Sequence, residues 1–241
     1  MTRQLEIQSI SVQRGPRLVL QELSLTVMPG RVTALLGANG AGKSSLVLTI
    51  AGALKPVSGR IRVDGRDLTG QRPEIVRAAG VAAVPEGHHI LTDLSVVENL
   101  IAAGSRLKTS DLASAQADAL AIFPELGERL GQRAGTMSGG QQQMLAIAQA
   151  LMARPKYLLF DELSLGLAPL IVKRLSAVVE QIARSGIGVL LIEQFTTVAL
   201  KLADQVAVLD RGALCFSGTP AELAASPSVL HDAYLAGTFE A

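Results

Sequence analysis

Apolar and polar positions along the chain repeat with two periods, and the switches between them lay out the elements. From Leu5 to Val12 the apolar residues are Leu5, Ile7, Ile10 and Val12, an alternation with one slip near Ser9. Leu23 to Val27 alternates cleanly. A period of two with one apolar face predicts half-buried strands of an antiparallel layer. Arg60 to Val63 leads into a turn at Asp64-Gly65. The runs Arg31–Leu36, Val81–Val84, Tyr157–Phe160 and Val189–Ile192 are short and mostly apolar, which predicts strands buried on both faces. Val206–Leu209, turned by Asp210-Arg211-Gly212, is expected to pair with Leu214–Ser217.

The helical period appears after the first buried strand, over Ser45–Ala51, and dominates from about Thr92 to Ala153. There, Ser95 and Glu98 form a capping-box pattern that opens a helix through Leu100. Ser110 to Phe123 is alanine-rich and is stopped by Pro124. Gln141 to Met152 carries Met144, Ile147, Ala148 and Leu151 on one face, a stripe that reads as core packing. Leu170 to Ser185 turns Ile171, Leu175, Val178, Val179 and Ile182 inward, with Gly186 as the stop. Thr219-Pro220 supplies the cap and first residue of a last helix. Strands alternating with helices imply a parallel sheet covered on both faces. The fold class is therefore α/β with an antiparallel β layer. A helical block of about residues 92–153 is set into a core of about 1–91 and 154–241, all one domain.

Composition narrows the class. The chain has 241 residues, 49% of them hydrophobic, enough for a full core. A net charge of +1 argues against a basic nucleic-acid footprint spread over the surface. The single cysteine, Cys215, excludes an internal disulfide and fits a reducing compartment; its strand-like setting predicts core packing. The first residues show no apolar signal region, and no window reaches the ~18 unbroken apolar residues of a membrane helix. The expectation is a protein soluble by itself, reaching a membrane only through a partner.

Chemistry concentrates where Arg31–Leu36 gives way to Ser45–Ala51. Between them lies Gly37-Ala38-Asn39-Gly40-Ala41-Gly42-Lys43-Ser44, which satisfies G-x-x-x-x-G-K-[ST] in the strand-to-helix context the motif needs. The glycines let the backbone approach a ligand, and turned N–H groups with a helix N-terminus favour anions. Lys43 is expected to carry charge to β- and γ-phosphates, and Ser44 to bind Mg²⁺, with Ser45 beside them. Behind Tyr157–Phe160 stand Asp161 and Glu162, at the strand edge where α/β folds bind ligands. Asp161 suits the Mg²⁺ shell, and Glu162 suits orienting a water and taking its proton. Ser138-Gly139-Gly140-Gln141 opens another helix and is a second anion-ready end. One phosphate loop has no evident use for two such ends, whereas a head-to-tail pair would close each loop with the partner's Ser138-Gly139-Gly140; a plain Gly-rich cap is the alternative.

In this order and spacing, the phosphate loop, the Ser-Gly-Gly-Gln run and the apolar-Asp-Glu run resemble the ATP-binding-cassette (ABC) ATPases over essentially the whole chain. Val84-Pro85-Glu86-Gly87, Gly135–Gln141, Ser164–Pro169 and Ile192-Glu193-Gln194 are similar to one ATPase subunit of the high-affinity branched-chain amino acid importers. The resemblance implies a P-loop NTPase (RecA-like) core, ATP and Mg²⁺ as cofactors, and a catalytic set of Lys43, Glu162 and Gln194. It implies Ser44, Glu86 and Asp161 around the metal, with Arg14 under the adenine. It further implies a second ABC ATPase, two membrane permease subunits docking near Glu86–Leu100, and an extracytoplasmic solute-binding protein. The chain would then sit on the cytoplasmic face of the cell membrane, with no nucleic-acid partner.

Four positions depart from the commonest pattern of that family. Glu86 replaces a glutamine, Gln194 a histidine, Leu163 a proline, and Arg14 an aromatic residue. Glu86 and Gln194 fit the importer subgroup; Leu163 is expected to loosen its turn. A guanidinium plane can stack on a base, so weaker discrimination between bases is expected. Three readings compete: an importer of another solute such as urea or another amino acid, a nucleic-acid-associated ABC ATPase, and a non-hydrolysing regulatory subunit. His88-His89 reads as a solvent- or permease-facing loop, and His231 as a surface residue.

Overall fold

A computed structural model describes residues 3–87 and 89–235. The chain opens with β1 (Leu5–Arg14), β2 (Arg17–Val27), β3 (Val32–Leu36) and α1 (Lys43–Ile50). There follow β4 (Ser58–Val63), β5 (Arg66–Asp67), α2 (Pro73–Ala78) and β6 (Val81–Val84). Then come the helices α3 (Val96–Ala103), α4 (Thr109–Ile122), α5 (Pro124–Gly127) and α6 (Gly139–Leu151). The final part runs β7 (Tyr157–Asp161), α7 (Pro169–Arg184), β8 (Gly188–Ile192), α8 (Thr196–Leu202), β9 (Gln205–Asp210), β10 (Ala213–Gly218), α9 (Pro220–Ala224) and α10 (Pro227–Leu235).

Two sheets result. The antiparallel one has the order β2-β1-β4-β5, and the larger one β10-β9-β3-β8-β7-β6. All neighbours in the larger sheet are parallel except the β9–β10 hairpin. The slip near Ser9 is a bulge between Ile7 and Ile10, with Ser9 at φ 46°. It restores Ile10 and Val12 to the inner face, where both are fully buried. The Asp64-Gly65 turn has positive φ at both residues, as a tight hairpin requires.

The antiparallel layer, α1 and one face of the larger sheet share a core built on Leu5, Ile10, Leu35, Leu46 and Leu159. A second core joins α3–α7 to the other face through Phe123, Leu145, Leu158, Phe160 and Leu175. Asn99, wholly buried, fastens α3 to the segment after β6: its amide accepts from Leu91 N–H at 2.9 Å and donates to Leu91, Leu94 and Ser95 carbonyls. Tyr157 OH donates to Asp64 Oδ1 at 2.9 Å and ties the small sheet's turn to β7.

Several expectations need correction. Cys215 is exposed, because β10 is an edge strand and the alternation turns this residue outward. Thr219-Pro220 does not open the last helix, since α10 follows α9. The helix before Pro124 ends as expected, α4 stopping at Ile122 with Phe123 out of the helical region, and Pro124 also opens the short α5. Leu163, expected to loosen its turn, is buried in the second core. His231 has a neighbour, Asp232 Oδ1, at 3.5 Å. His88 lies outside the described residues, and His89 is exposed.

Candidate functional site

β3 is five buried residues long and delivers the chain to Gly37 at the carboxyl end of the sheet. Gly37 has φ 153°, and a Cβ there would lie 2.3 Å from Leu209 O. Gly42, with φ 114°, caps α1 without a side chain, and a Cβ there would meet Val19 O at 2.6 Å. Only glycine fits at either position. From Gly42 onward, Leu46 is the first residue whose amide bonds back, to Gly42 O at 3.0 Å. The preceding amides of the turn stand at the positive end of α1. Ala41 is different: its side chain is buried in the core and its N–H donates to Ala38 O at 3.2 Å.

Lys43 folds back over the loop, donating from Nζ to Gly37 O at 2.8 Å and Ala38 O at 3.0 Å. Burial pulls its pKa below the usual lysine value, opposed by Glu162 and Asp161. Ser44 Oγ donates to Asp161 Oδ1 at 3.3 Å, so the serine of the phosphate loop and the acid at the end of β7 are in contact. Burial pushes the Asp161 carboxyl above the usual range, and nearby Glu86 adds to the rise. Glu162 is also raised, by burial first and then by Glu86 and Asp161, against the pull of Lys43.

A cleft of about 460 Å³ gathers Arg14, Asn39, Gly40, Gly42, Lys43, Ser44, Ser45, Glu86, Glu162 and Gln194. It thus joins residues from five separate stretches of the sequence. Ser138, Gly139 and Gly140 are not among its walls. Ser138 and Gly139 are exposed at the start of α6, where Ser138 and Gln141 make a reciprocal capping box. Gly140 is buried, and a Cβ there would press on Ile171 of α7 at 2.9 Å.

Two groups at this site, Glu193 and Tyr234, were given no role by the sequence, and Glu162 has a backbone conformation that the sequence did not reveal. Glu193, 1% exposed, accepts from Ser164 N–H at 3.0 Å and from Ser164 Oγ–H at 2.7 Å. Tyr234 of α10 accepts from Gly37 N–H at 3.3 Å and donates to Gln194 O at 3.4 Å. Glu162 sits at φ 56°, a left-handed conformation that a non-glycine residue adopts at a cost. Glu193 could have been flagged: it follows a buried parallel strand, the same signal that singled out Asp161 and Glu162.

Comparison with known proteins agrees with this geometry. A profile described as ABC transporter matches residues 20–164. The chain is 44% identical, over 97% of its length and 100% of the relative's, to a high-affinity branched-chain amino acid transport ATP-binding protein of Pseudomonas aeruginosa. It is 32% identical to a probable protein of the same kind from Archaeoglobus fulgidus, over 85% of this chain and 87% of that one. Among solved structures, a nucleotide-free ATP-binding cassette superposes with TM-score 0.85 at 26% identity, covering 95% of this chain and 98% of the other. The ADP conformation of an ATP-binding cassette gives 0.86 at 26% identity, with 96% and 98% covered. Phosphate loop, acidic strand end and matched profile together place the chain in the ABC transporter family, as an ATP-hydrolysing, ATP-binding subunit.

Proposed function

We propose that this chain binds Mg-ATP in the cleft around Lys43 and powers the import of branched-chain amino acids through a partner permease. The contact of Ser44 with Asp161, beneath Lys43 and beside Glu162, carries the chemical part of the reading. The donors fit a hard cation: a hydroxyl and carboxylates. Ser44 and Asp161 would hold Mg²⁺, with Glu86 at its edge, and the ion supplies charge neutralisation on the phosphates when bound.

Lys43 would leave the Gly37 and Ala38 carbonyls and follow the γ-phosphate. The phosphate-loop amides at the head of α1, from Gly42 to Ser45, would surround the β-phosphate, and Arg14 would lie against the base. Glu162 takes the proton of a water that attacks the γ-phosphorus, and the bond to the bridging oxygen breaks to leave ADP and phosphate. Its raised pKa, caused mainly by burial, makes it a better proton acceptor than a free glutamate. Gln194 donates a hydrogen bond to the γ-phosphate.

Ser138, Gly139 and Gly140 lie outside the chain's own cleft, which supports their serving the cleft of a second ATPase. Residues 92–153 would act as the helical subdomain that carries them. A groove of about 400 Å³ runs between α6 and the segment after β6, with His89, Leu91, Ala102 and Gln149 on its walls. It is a fitting seat for the permease. No helix among the described residues is long and apolar enough to cross a membrane, so membrane attachment falls to that permease, on the cytoplasmic face. The solute, and the extracytoplasmic binding protein that would deliver it, rest on the Pseudomonas relative.

The test is Glu162→Gln in the assembled transporter. ATP binding should persist while turnover falls by about 100-fold or more. Normal turnover in that variant would sink the catalytic assignment. Vesicles loaded with ATP that take up urea but no leucine would overturn the solute.

A further inference from the structure

Glu193 is nearly solvent-free, yet nothing in the hydrolytic chemistry uses it. It follows β8 directly, immediately before Gln194, and both of its oxygens face Ser164, which lies two residues after Glu162. The stretch between Asp161 and Ser164 has no covalent stiffening. Glu162 is held at φ 56°, and Leu163 is buried in the core behind it. Only one main-chain bond fixes Glu162 itself to β8, from its N–H to Ile192 O at 2.9 Å. The Glu193 carboxylate adds two more bonds across the same gap, one of them to a main-chain amide.

We infer that Glu193 is a positioning residue that binds the Glu162 turn and the Gln194 loop into one frame, a role that rests on Glu162 being the base. The two elements approach the γ-phosphate position from different strands, β7 and β8. Their separation must be kept to fractions of an ångström if one is to take a proton while the other donates to the same phosphate. A carboxylate accepting a main-chain N–H and a hydroxyl at 3.0 and 2.7 Å is a strong tether in a site shielded from water. The burial that pushes its pKa up is the cost of putting it there, and a solvated polar residue would serve a merely structural turn at less cost.

The test uses the full chain assembled with its permease and compares Glu193→Ala, Glu193→Gln and Ser164→Ala with the parent. Glutamine can still accept from Ser164 N–H and donate to its hydroxyl. Glu193→Ala should lower kcat by about 30-fold with KM for ATP and equilibrium Mg-ATP binding changed less than about threefold. Ser164→Ala, which keeps the main-chain bond, should lose about threefold, and Glu193→Gln should recover at least half the parent rate. The role is overturned if Glu193→Ala turns over within about twofold of the parent, or if KM rises as much as kcat falls. It is also overturned if Glu193→Gln is no better than alanine. If Glu193→Ala does not fold, the other two variants decide: the role is overturned if Ser164→Ala leaves kcat unchanged or if Glu193→Gln falls below about half the parent rate. Failure of the parent reading would look different: Glu162→Gln would then turn over normally whatever position 193 holds.

Discussion

Replacing Asp161 with asparagine should make the nucleotide-free protein more stable while disabling it. Asp161 is 6% exposed, at the end of a fully buried strand. Its hydrogen-bonding support is thin: Ser44 Oγ at 3.3 Å, with Lys43 already committed to two carbonyls. Glu86 opposes it, and burial holds the carboxyl above its ordinary range. A buried carboxylate so poorly compensated costs several kcal/mol. Asparagine has the same shape, keeps an acceptor for Ser44 and carries no charge, so a net gain of about 1–2 kcal/mol is expected. For a chain of this length that is a rise in Tm of about 2–8 °C. The sign with pH follows from linkage. A carboxyl raised in the folded state is charged, and costly, above its folded pKa, and the cost fades as pH falls toward the ordinary value of 3.8. The Tm advantage of Asp161→Asn in EDTA should therefore narrow on going from about pH 7.5 to about pH 4.5. Adding Mg-ATP should stabilise the parent and leave the variant unmoved. A variant that melts at or below the parent in EDTA would refute the reasoning, because Ser44 and Lys43 would then more than offset the buried charge.

Gly37→Ala would force a Cβ to 2.3 Å from Leu209 O at a φ of 153°, and should cost about 2–4 kcal/mol in urea unfolding together with loss of ATP binding. Arg14 lies at the cleft mouth and offers a flat cation to the base, so ATP should bind less than about tenfold more tightly than GTP. Arg14→Ala should weaken both nucleotides by on the order of fivefold, measured by equilibrium titration, and a loss confined to ATP would contradict this.

The parts of the fold legible in the sequence are those written locally. Buried strands show as short apolar runs, and the phosphate loop shows as glycines between β3 and α1, because both follow from neighbours within a few residues. The bulge at Ser9 was visible as a phase slip for the same reason. What escaped depends on distant partners. Tyr234 meets Gly37 across 197 positions, and Ser164 meets Glu193 across 29. Short elements also escaped: α8 and α10 are too brief for their periodicity to rise above noise, and β5 has two residues. At Cys215 the strand was read but the burial was not, because the run does not reveal which strand will end at the sheet's edge.

Two helix ends in this chain are built from similar residues and placed in unlike surroundings. At α1 the cap is a bare glycine, and the amides open onto a cleft with Lys43, Glu162 and Gln194 on its walls. At α6 the cap is Ser138, whose reciprocal bond with Gln141 satisfies the turn locally, on an exposed surface. Gly140 is explained by its packing on Ile171, whereas Gly139 is exposed at the start of the helix. A small residue at an exposed helix start helps only if something must come close to the backbone there. The chain's own nucleotide cleft does not include it. Another copy of such a cleft, with a triphosphate in it, has the matching charge, so the proposed pairing of two ATPases would give the exposed Gly139 backbone a partner that the chain's own cleft does not supply.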